Sequence, residues 1–368
     1  MSVNFFDITR QNESHRSEID SAIADVINSG RFILGENVAK LEQEVAAYSK
    51  ASFAIGLASG TDALHLALRA CGVKKGDEII TSPFTFVATA EAISYIGAVP
   101  VFVDIEPNTF NLSPKLIEQK ITKKTKAILP IHLYGQPADM VTIMEMARQY
   151  KLKVIEDSCQ SIGAEYAGKP VNSTSDAGCL SFFPTKNLGC FGDGGMVLTG
   201  NPQVADEIRV LRGHGSRKTY YYDQVGYNSR LDELHAAVLR VKFKYLDQLT
   251  SSRQKNADYY FKRLKSLSGI TLPYVDPKSK HVFNQFTVKM PKRDALLSYL
   301  KEKGVGAMVY YPLSLHLQPA FSSLGYKPGS LPESEKAQTE VLSLPIFPEI
   351  KEKELDEVCS AIESFFKQ

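Results

Sequence analysis

Lys186 lies in the stretch Ser181-Phe182-Phe183-Pro184-Thr185-Lys186-Asn187-Leu188-Gly189, closed by Gly192-Asp193-Gly194-Gly195. An amine between an apolar strand end and a glycine-rich segment is expected to be partly buried and near other charges. Such a lysine gives up its proton readily enough to form an imine with a carbonyl compound. Upstream, the apolar run Val154-Ile155 ends in Glu156-Asp157 and continues as Ser158-Cys159-Gln160. An imine-forming lysine and an acid at the end of a buried strand are the protein half of pyridoxal phosphate chemistry. For a lone lysine the plainer reading is a side chain snorkelling from a loop. The other parts of the device decide between them.

That cofactor asks for an acid at its pyridine nitrogen, an anion site for its phosphate and a flat surface against its ring, besides the lysine. Asp157 is the candidate acid, although a strand-end Asp also serves as a helix cap. Gln160 either hydrogen-bonds the ring hydroxyl or is an ordinary polar turn residue. The phosphate site is expected at Ser59-Gly60-Thr61-Asp62-Ala63-Leu64, which follows the apolar run Phe53–Leu57 and opens a helix. Free N–H groups and the positive end of the helix dipole would face an anion there. Gly60 lets a phosphate approach the backbone and Thr61 adds a hydroxyl, with a ligand-free Ser/Thr cap as the alternative. Ser181 offers a further hydroxyl. Phe86, just after the run Ile79–Thr81, either lies against the ring or is ordinary core, and the sequence alone prefers core. The glycines after Lys186 do not form GxGxxG, and no GxxxxGK[ST] occurs, so neither a dinucleotide fingerprint nor a phosphate-binding P-loop is supported.

These residues need a scaffold that brings strand ends together. Short apolar runs occur at Phe53–Leu57, Glu78–Thr81, Pro100–Asp104, Ala127–Ile131, Lys153–Glu156, Cys179–Phe182 and Met196–Thr199. Most are continuous rather than alternating, as expected for strands covered on both faces. Helix-period segments lie between them, one marked by Val38, Leu41, Val45 and Tyr48 and another running from Met140 to Tyr150. The pattern predicts an α/β fold with a mainly parallel seven-stranded sheet covered by helices, and sites at the carboxyl ends of its strands. From Leu231 to Leu249 one long helix is expected, with a second through Leu264. A smaller α+β domain follows, with Val282–Val288 alternating as a half-buried strand between helices at Arg293–Lys303 and Lys351–Phe366. The boundary is placed near residue 245, giving a large domain over 1–245 and a small one over 246–368.

Composition narrows the class. With 43% hydrophobic and 23% charged residues over 368, the chain is ordinary for a globular protein. A net charge of +2 with scattered basic residues gives no case for nucleic acid or an acidic membrane surface. The five cysteines have no metal-ligand spacing, and their odd number fits reduced thiols in the cytoplasm. No signal peptide or bilayer-spanning apolar run is visible, and no metal site is expected.

From about Arg31 onward the chain resembles the DegT/StrS family of nucleotide-sugar aminotransferases, a branch of the aspartate-aminotransferase fold (fold type I of the pyridoxal phosphate enzymes). The likeness is carried by Ser59–Leu64, Phe84-Thr85-Phe86-Val87-Ala88-Thr89, Val154–Asp157, Ser181–Gly195 and Gly226-Tyr227-Asn228-Ser229-Arg230-Leu231-Asp232. It implies that Lys186 is the imine lysine and proton shuttle, and that Asp157 pairs with the pyridine nitrogen. It places Gln160 near the ring oxygen, Phe86 on the ring, and Gly60, Thr61 and Ser181 at the phosphate. Asn228 would reach the phosphate of a neighbouring subunit, which implies a homodimer with shared sites. Arg230 is a candidate carboxylate grip, or else it pairs with Asp232 or Glu233.

Relatives often carry His-Tyr-Pro where this chain has Tyr310-Tyr311-Pro312, so Tyr310 and Tyr311 become the candidate sugar contacts. Nearby His316 either compensates or is a surface residue. The resemblance implies ping-pong transfer from L-glutamate to a keto nucleotide sugar. The Gly192-Asp193-Gly194-Gly195 form resembles members that aminate C3, in particular of UDP-2-acetamido-3-keto-glucuronate for surface polysaccharide. A dTDP-3-keto-6-deoxyhexose is the alternative substrate. A sugar dehydratase is disfavoured because those relatives replace the lysine with histidine. A non-catalytic regulator would not need an imine-forming amine.

Overall fold

In the computed structural model, which describes residues 2–367, the apolar runs form seven strands: β1 (Phe53–Leu57), β2 (Glu78–Thr81), β3 (Val99–Phe102), β4 (Thr125–Leu129), β5 (Lys153–Asp157), β6 (Ala177–Ser181) and β7 (Gly195–Thr199). Their order across the sheet is β1-β7-β6-β5-β4-β2-β3. β7 runs antiparallel to both neighbours, and all other pairs are parallel. The expected mainly parallel sheet is therefore present, with strand ends shifted by a residue or two. The central strands are buried along nearly their whole length, because helices cover both faces and leave no solvated side to demand alternation.

One face packs Ile55, Leu57, Ile79, Leu129, Ile155 and Val197 under the helices Gly60–Ala70, Ala88–Tyr95 and Pro202–Arg212. The other face is covered by Glu36–Tyr48, Met140–Tyr150 and Glu233–Phe243. β4, β5 and β6 end on the same edge of the sheet, and that edge carries the candidate residues.

A second core holds the antiparallel pair Phe286–Lys289 and Val341–Leu344. Tyr260, Leu300, Val358 and Ile362 pack on it from the helices Leu246–Leu264, Arg293–Glu302 and Glu352–Phe366. Val3 joins this core through a bridge to Val305.

Two sequence expectations fail in this half. The expected single helix over Leu231–Leu249 is two helices, Glu233–Phe243 and Leu246–Leu264, because the chain leaves helical geometry at Tyr245 (φ −105°, ψ 1°). Tyr245 stacks on His15 with ring centres 3.9 Å apart, and its hydroxyl bonds Glu18. Both helices bury an apolar face, so the apolar period runs through the break unaltered. Val282–Gln285 is likewise not a strand. Phe283 has φ +44°, and Val282 and Gln285 donate to Gly135 O (3.0 Å) and Tyr134 O (3.2 Å) instead of to a ladder. Gly135 (φ +96°) permits this approach, since a Cβ there would lie 2.9 Å from Asn284 N. Among the described residues no helix is long and apolar enough to cross a membrane, and no cluster of metal-ligating side chains occurs.

Candidate active site

The loop that carries Lys186 is held by its own backbone. Lys186 N–H donates to Phe183 O (2.9 Å), Cys190 N–H to Phe182 O (2.8 Å) and Phe182 N–H to Gly194 O (2.8 Å). A Cβ on Gly189 would sit 2.4 Å from Pro184 O, so only glycine fits this turn. Asn187 ties the loop to Val282 O at 3.1 Å. Lys186 itself is half-buried and opens onto a cavity of about 410 Å³.

Beneath the loop, Lys242 is 1% exposed, donates to Gly189 O at 3.1 Å and lies 4.9 Å from the centre of the Phe191 ring. Burial pushes its amine from 10.5 down to about 8, against smaller upward pulls from Cys190 and Glu349. Below pH 8 the amine is charged in both folded and unfolded chains, and the desolvation cost stands in full. Between 8 and 10.5 the unfolded chain holds more protons than the folded one, so stability rises with pH across that window. Lys242→Met is therefore expected to gain on the order of 1–3 kcal/mol at pH 7, after loss of the Gly189 bond. The gain should shrink as the pH approaches 10.5, which thermal melts of both proteins at several pH values would check.

Across the cavity, Asp157 ends β5 and is 6% exposed. Its Oδ2 accepts from Thr89 Oγ1 at 2.8 Å and its Oδ1 from Cys159 N–H at 3.2 Å. Thr89 spends its proton on Asp157, so Thr85 Oγ1, 3.0 Å away, donates to Thr89. Two donors leave a carboxylate further acceptor capacity for a cation in the cavity. The helix-cap reading of Asp157 fails, because no helix begins there and its bond to Cys159 N–H only shapes a turn.

Ser59 caps the helix Gly60–Ala70 by accepting from Asp62 N–H at 3.1 Å. Among the described residues the Gly60 and Thr61 N–H groups donate to no protein acceptor, as the first turn of a helix requires. A Cβ on Gly60 would come within 2.7 Å of Ser181 Cβ and 3.2 Å of Ser181 Oγ. Glycine thus keeps Thr61, Ser181 and two free N–H groups around one concave corner.

The other walls include Phe86, Phe183, Gln160, Gln285, Tyr310, Tyr311 and Asp193. Phe86 is 58% exposed, so the core reading preferred from sequence is overturned. Gln160 Oε1 accepts from Tyr134 N–H at 2.6 Å, and its Nε2 donates to the Tyr311 hydroxyl at 3.3 Å. Burial pushes the Tyr311 phenol well above its ordinary range. Gln285 Oε1 is buried with no hydrogen-bond partner among the described residues, an acceptor that a bound group can satisfy.

Three sequence candidates do not line this cavity. His316 is not a surface residue: it is 2% exposed and its Nε2 lies 3.1 Å from Glu335 Oε1. Arg230 donates to Asn228 Oδ1 at 2.5 Å, and Asn228 is exposed. The alternative pairing of Arg230 with Glu233 fails, because Glu233 accepts from the N–H groups of Gly35, Asn37 and Val38 and so caps the helix Glu36–Tyr48. Sequence reasoning missed Thr89 and Gln285. Thr89 follows Thr85 by four residues, a spacing that only a folded turn makes meaningful, and Gln285 carries no local signal.

The geometry fits pyridoxal phosphate. A free helix end with two hydroxyls suits its phosphate, a buried carboxylate with spare lone pairs suits its pyridinium, and an unburied aromatic face and an amine stand between them.

The DegT/DnrJ/EryC1/StrS aminotransferase family model matches residues 13–363, and the chain belongs to that family. A "Pleiotropic regulatory protein" of Geobacillus stearothermophilus is 52% identical over 100% of this chain and 99% of its own length. A UDP-N-acetyl-3-dehydro-alpha-D-glucosamine 3-aminotransferase of Acidithiobacillus ferrooxidans is 45% identical over 94% and 93% of the two chains. A dTDP-3-amino-3,4,6-trideoxy-alpha-D-glucose transaminase of Streptomyces venezuelae is 43% identical over 98% and 95%. Among solved structures, S. venezuelae DesV has a TM-score of 0.98 at 42% identity, over 100% of this chain and 99% of its own. Bacillus subtilis NtdA, solved with bound cofactor PMP, has a TM-score of 0.94 at 34% identity, over 100% and 86%.

Proposed function

We propose that this chain binds pyridoxal phosphate and moves the amino group of L-glutamate to C3 of a keto nucleotide sugar, as a step toward surface polysaccharide in the cytoplasm. The observation that carries this reading is the placement of Lys186 and Asp157 on one cavity whose corner is the free helix end at Gly60 and Thr61. When bound, pyridoxal phosphate supplies the electron sink that makes a proton on the amino-bearing carbon removable. Asp157 holds the pyridinium end, Gly60, Thr61 and Ser181 hold the phosphate, Phe86 covers the ring, and Gln160 lies at its oxygen. Lys186 Nζ would take the proton from the amino-bearing carbon of the donor and hold it for return. The same amine reverses these moves for the sugar, so the kinetics are ping-pong.

Tyr310, Tyr311 and Gln285 face the sugar. Asn228 is exposed and the half-buried Arg230 is tied to it, which suits a role in the site of a second copy, Asn228 at the phosphate and Arg230 at a carboxylate of donor or sugar.

Of the two transaminase relatives named above, one is named for a 3-amino sugar and the other as a 3-aminotransferase of a 3-dehydro sugar, which supports amination at that carbon. The favoured acceptor is UDP-2-acetamido-3-keto-glucuronate, and the dTDP-3-keto-6-deoxyhexose is the alternative. The regulatory name of the G. stearothermophilus relative favours a second reading as a regulator, against which stands the complete set of Lys186, Asp157 and the helix-end cradle.

Mass spectrometry of products from a panel of UDP- and dTDP-linked 3- and 4-keto sugars with glutamate tests these readings. A UDP-linked 3-amino product is the expected result. A 4-amino product or a dTDP-only product would overturn the assigned acceptor, and no product from any of them would favour the regulator.

A further inference from the structure

Glu156 precedes Asp157 in β5, and by strand alternation its side chain leaves on the opposite face. It is 1% exposed. Its Oε2 is 2.7 Å from His132 Nε2, and both of its oxygens accept from Asn172 N–H at 3.1 Å. His132 is fully buried, and its Nδ1 accepts from Ala138 N–H at 3.0 Å. The ring proton therefore sits on Nε2 and is donated to Glu156. On the other side, Asn172 Oδ1 accepts from Ser158 Oγ at 2.5 Å, and Ser158 N–H donates to Cys179 O at 2.9 Å. Gly178, opposite Glu156 in the sheet, leaves room for this chain, since a Cβ there would meet Asn172 Oδ1 at 2.0 Å.

A buried polar chain thus grips the residues on either side of Asp157. The backbone of the same segment closes on Asp157 itself. His132 N–H donates to Asp157 O at 3.0 Å, and Asp157 N–H donates to Pro130 O at 2.9 Å. Two residues beyond His132, Tyr134 N–H donates to Gln160 Oε1 at 2.6 Å. One short segment therefore fixes both residues assigned to the edge of the cofactor ring. A buried carboxylate is costly unless fully bonded, and an apolar pair of the same volume would hold the sheet at least as well. The retained charge instead suits a strand end that must not rotate.

We infer that His132 and Glu156 are positioning residues, which set the Asp157 carboxylate and the Gln160 amide for the cofactor from the far side of the sheet. The inference rests on Asp157 facing the cofactor. Neither residue lines the cavity, so any effect on cofactor binding passes through Asp157 and Gln160.

The test compares Glu156→Gln, His132→Gln and Asp157→Asn with Val154→Ala, a buried change on the same face of the same strand. Glu156→Gln keeps an acceptor for Asn172 but turns an amide N–H toward His132 Nε2. His132→Gln keeps a donor toward Glu156 and removes the acceptor for Ala138. Melting temperature and the dissociation constant for pyridoxal phosphate are measured for each, and kcat and KM for the folded proteins.

The two network variants are expected to weaken cofactor binding by about tenfold or more and to lower kcat with KM unchanged. Val154→Ala should lose comparable melting temperature and bind cofactor as the wild type does. If one network variant does not fold, the other is judged by the same comparison. Binding in both network variants equal to that of Val154→Ala, with Asp157→Asn weakened, would overturn the inference alone. Unchanged binding in Asp157→Asn would overturn the placement of Asp157 on which it rests.

Discussion

Lys186→Ala is expected to abolish amino transfer, lowering turnover by at least about 10⁴-fold, while the protein stays folded. The expected loss is large because, in the proposed function, one amine both forms the imine and moves the proton, so no second group can take over half of the work. The fold should survive because the bonds that shape the loop are backbone bonds, from Lys186 N–H to Phe183 O and from Cys190 N–H to Phe182 O. The Lys186 side chain makes no hydrogen bond among the described residues. Cofactor should still bind through the helix end at Gly60 and Thr61, because that corner does not depend on the amine. Turnover measured beside a thermal melt checks both halves. Retained transfer in a folded variant would refute the role given to Lys186.

Asp157→Asn is the second large effect, a loss in kcat of about 10²–10³-fold. The change preserves shape but removes the charge that, in the proposed function, would stabilise a protonated pyridine nitrogen. It also disturbs the local bonding. Asp157 Oδ2 accepts from Thr89 and Oδ1 from Cys159 N–H, and an amide offers only one oxygen. One donor is left facing an NH₂ group, which costs about 1–3 kcal/mol of stability. Steady-state kinetics and a melt separate the two consequences. If kcat is unchanged while the melting temperature falls, Asp157 is a structural residue only.

Much of the site was legible because its residues lie at places where strands end. Asp157 and Gln160 follow a buried run, Gly60 and Thr61 open a helix directly after another, and Ser181 precedes Lys186 by one turn of loop. Ends of parallel strands meet on one edge of the sheet whatever the details of packing, so local pattern sufficed to gather them. Phe86 was harder, because an aromatic beside a strand is usually core, and only the folded cavity shows its face left open.

Thr89 and Gln285 were not legible. One is recruited by a hydroxyl chain to Asp157, the other by an irregular segment that the sequence suggested was a strand. That segment misled because Val282 and Phe286 fit an alternating pattern, while Phe283 takes a left-handed conformation that no pattern announces. His316 illustrates the reverse. It stands near the tyrosines in sequence, yet its ring is buried against Glu335 and turned to a different purpose.

In the proposed reaction the amino nitrogen of glutamate passes to a keto nucleotide sugar, with Lys186 moving the protons. L-Glutamate labelled with heavy nitrogen at its α-amino group, the cofactor-loaded protein and the UDP-linked 3-keto sugar, followed by mass spectrometry, test it most directly. The expected result is the label in the sugar amine, one 2-oxoglutarate released per amino sugar formed, and neither product with Lys186→Ala. An unlabelled or absent amino sugar with the wild-type protein, or label transfer undiminished in Lys186→Ala, would contradict it.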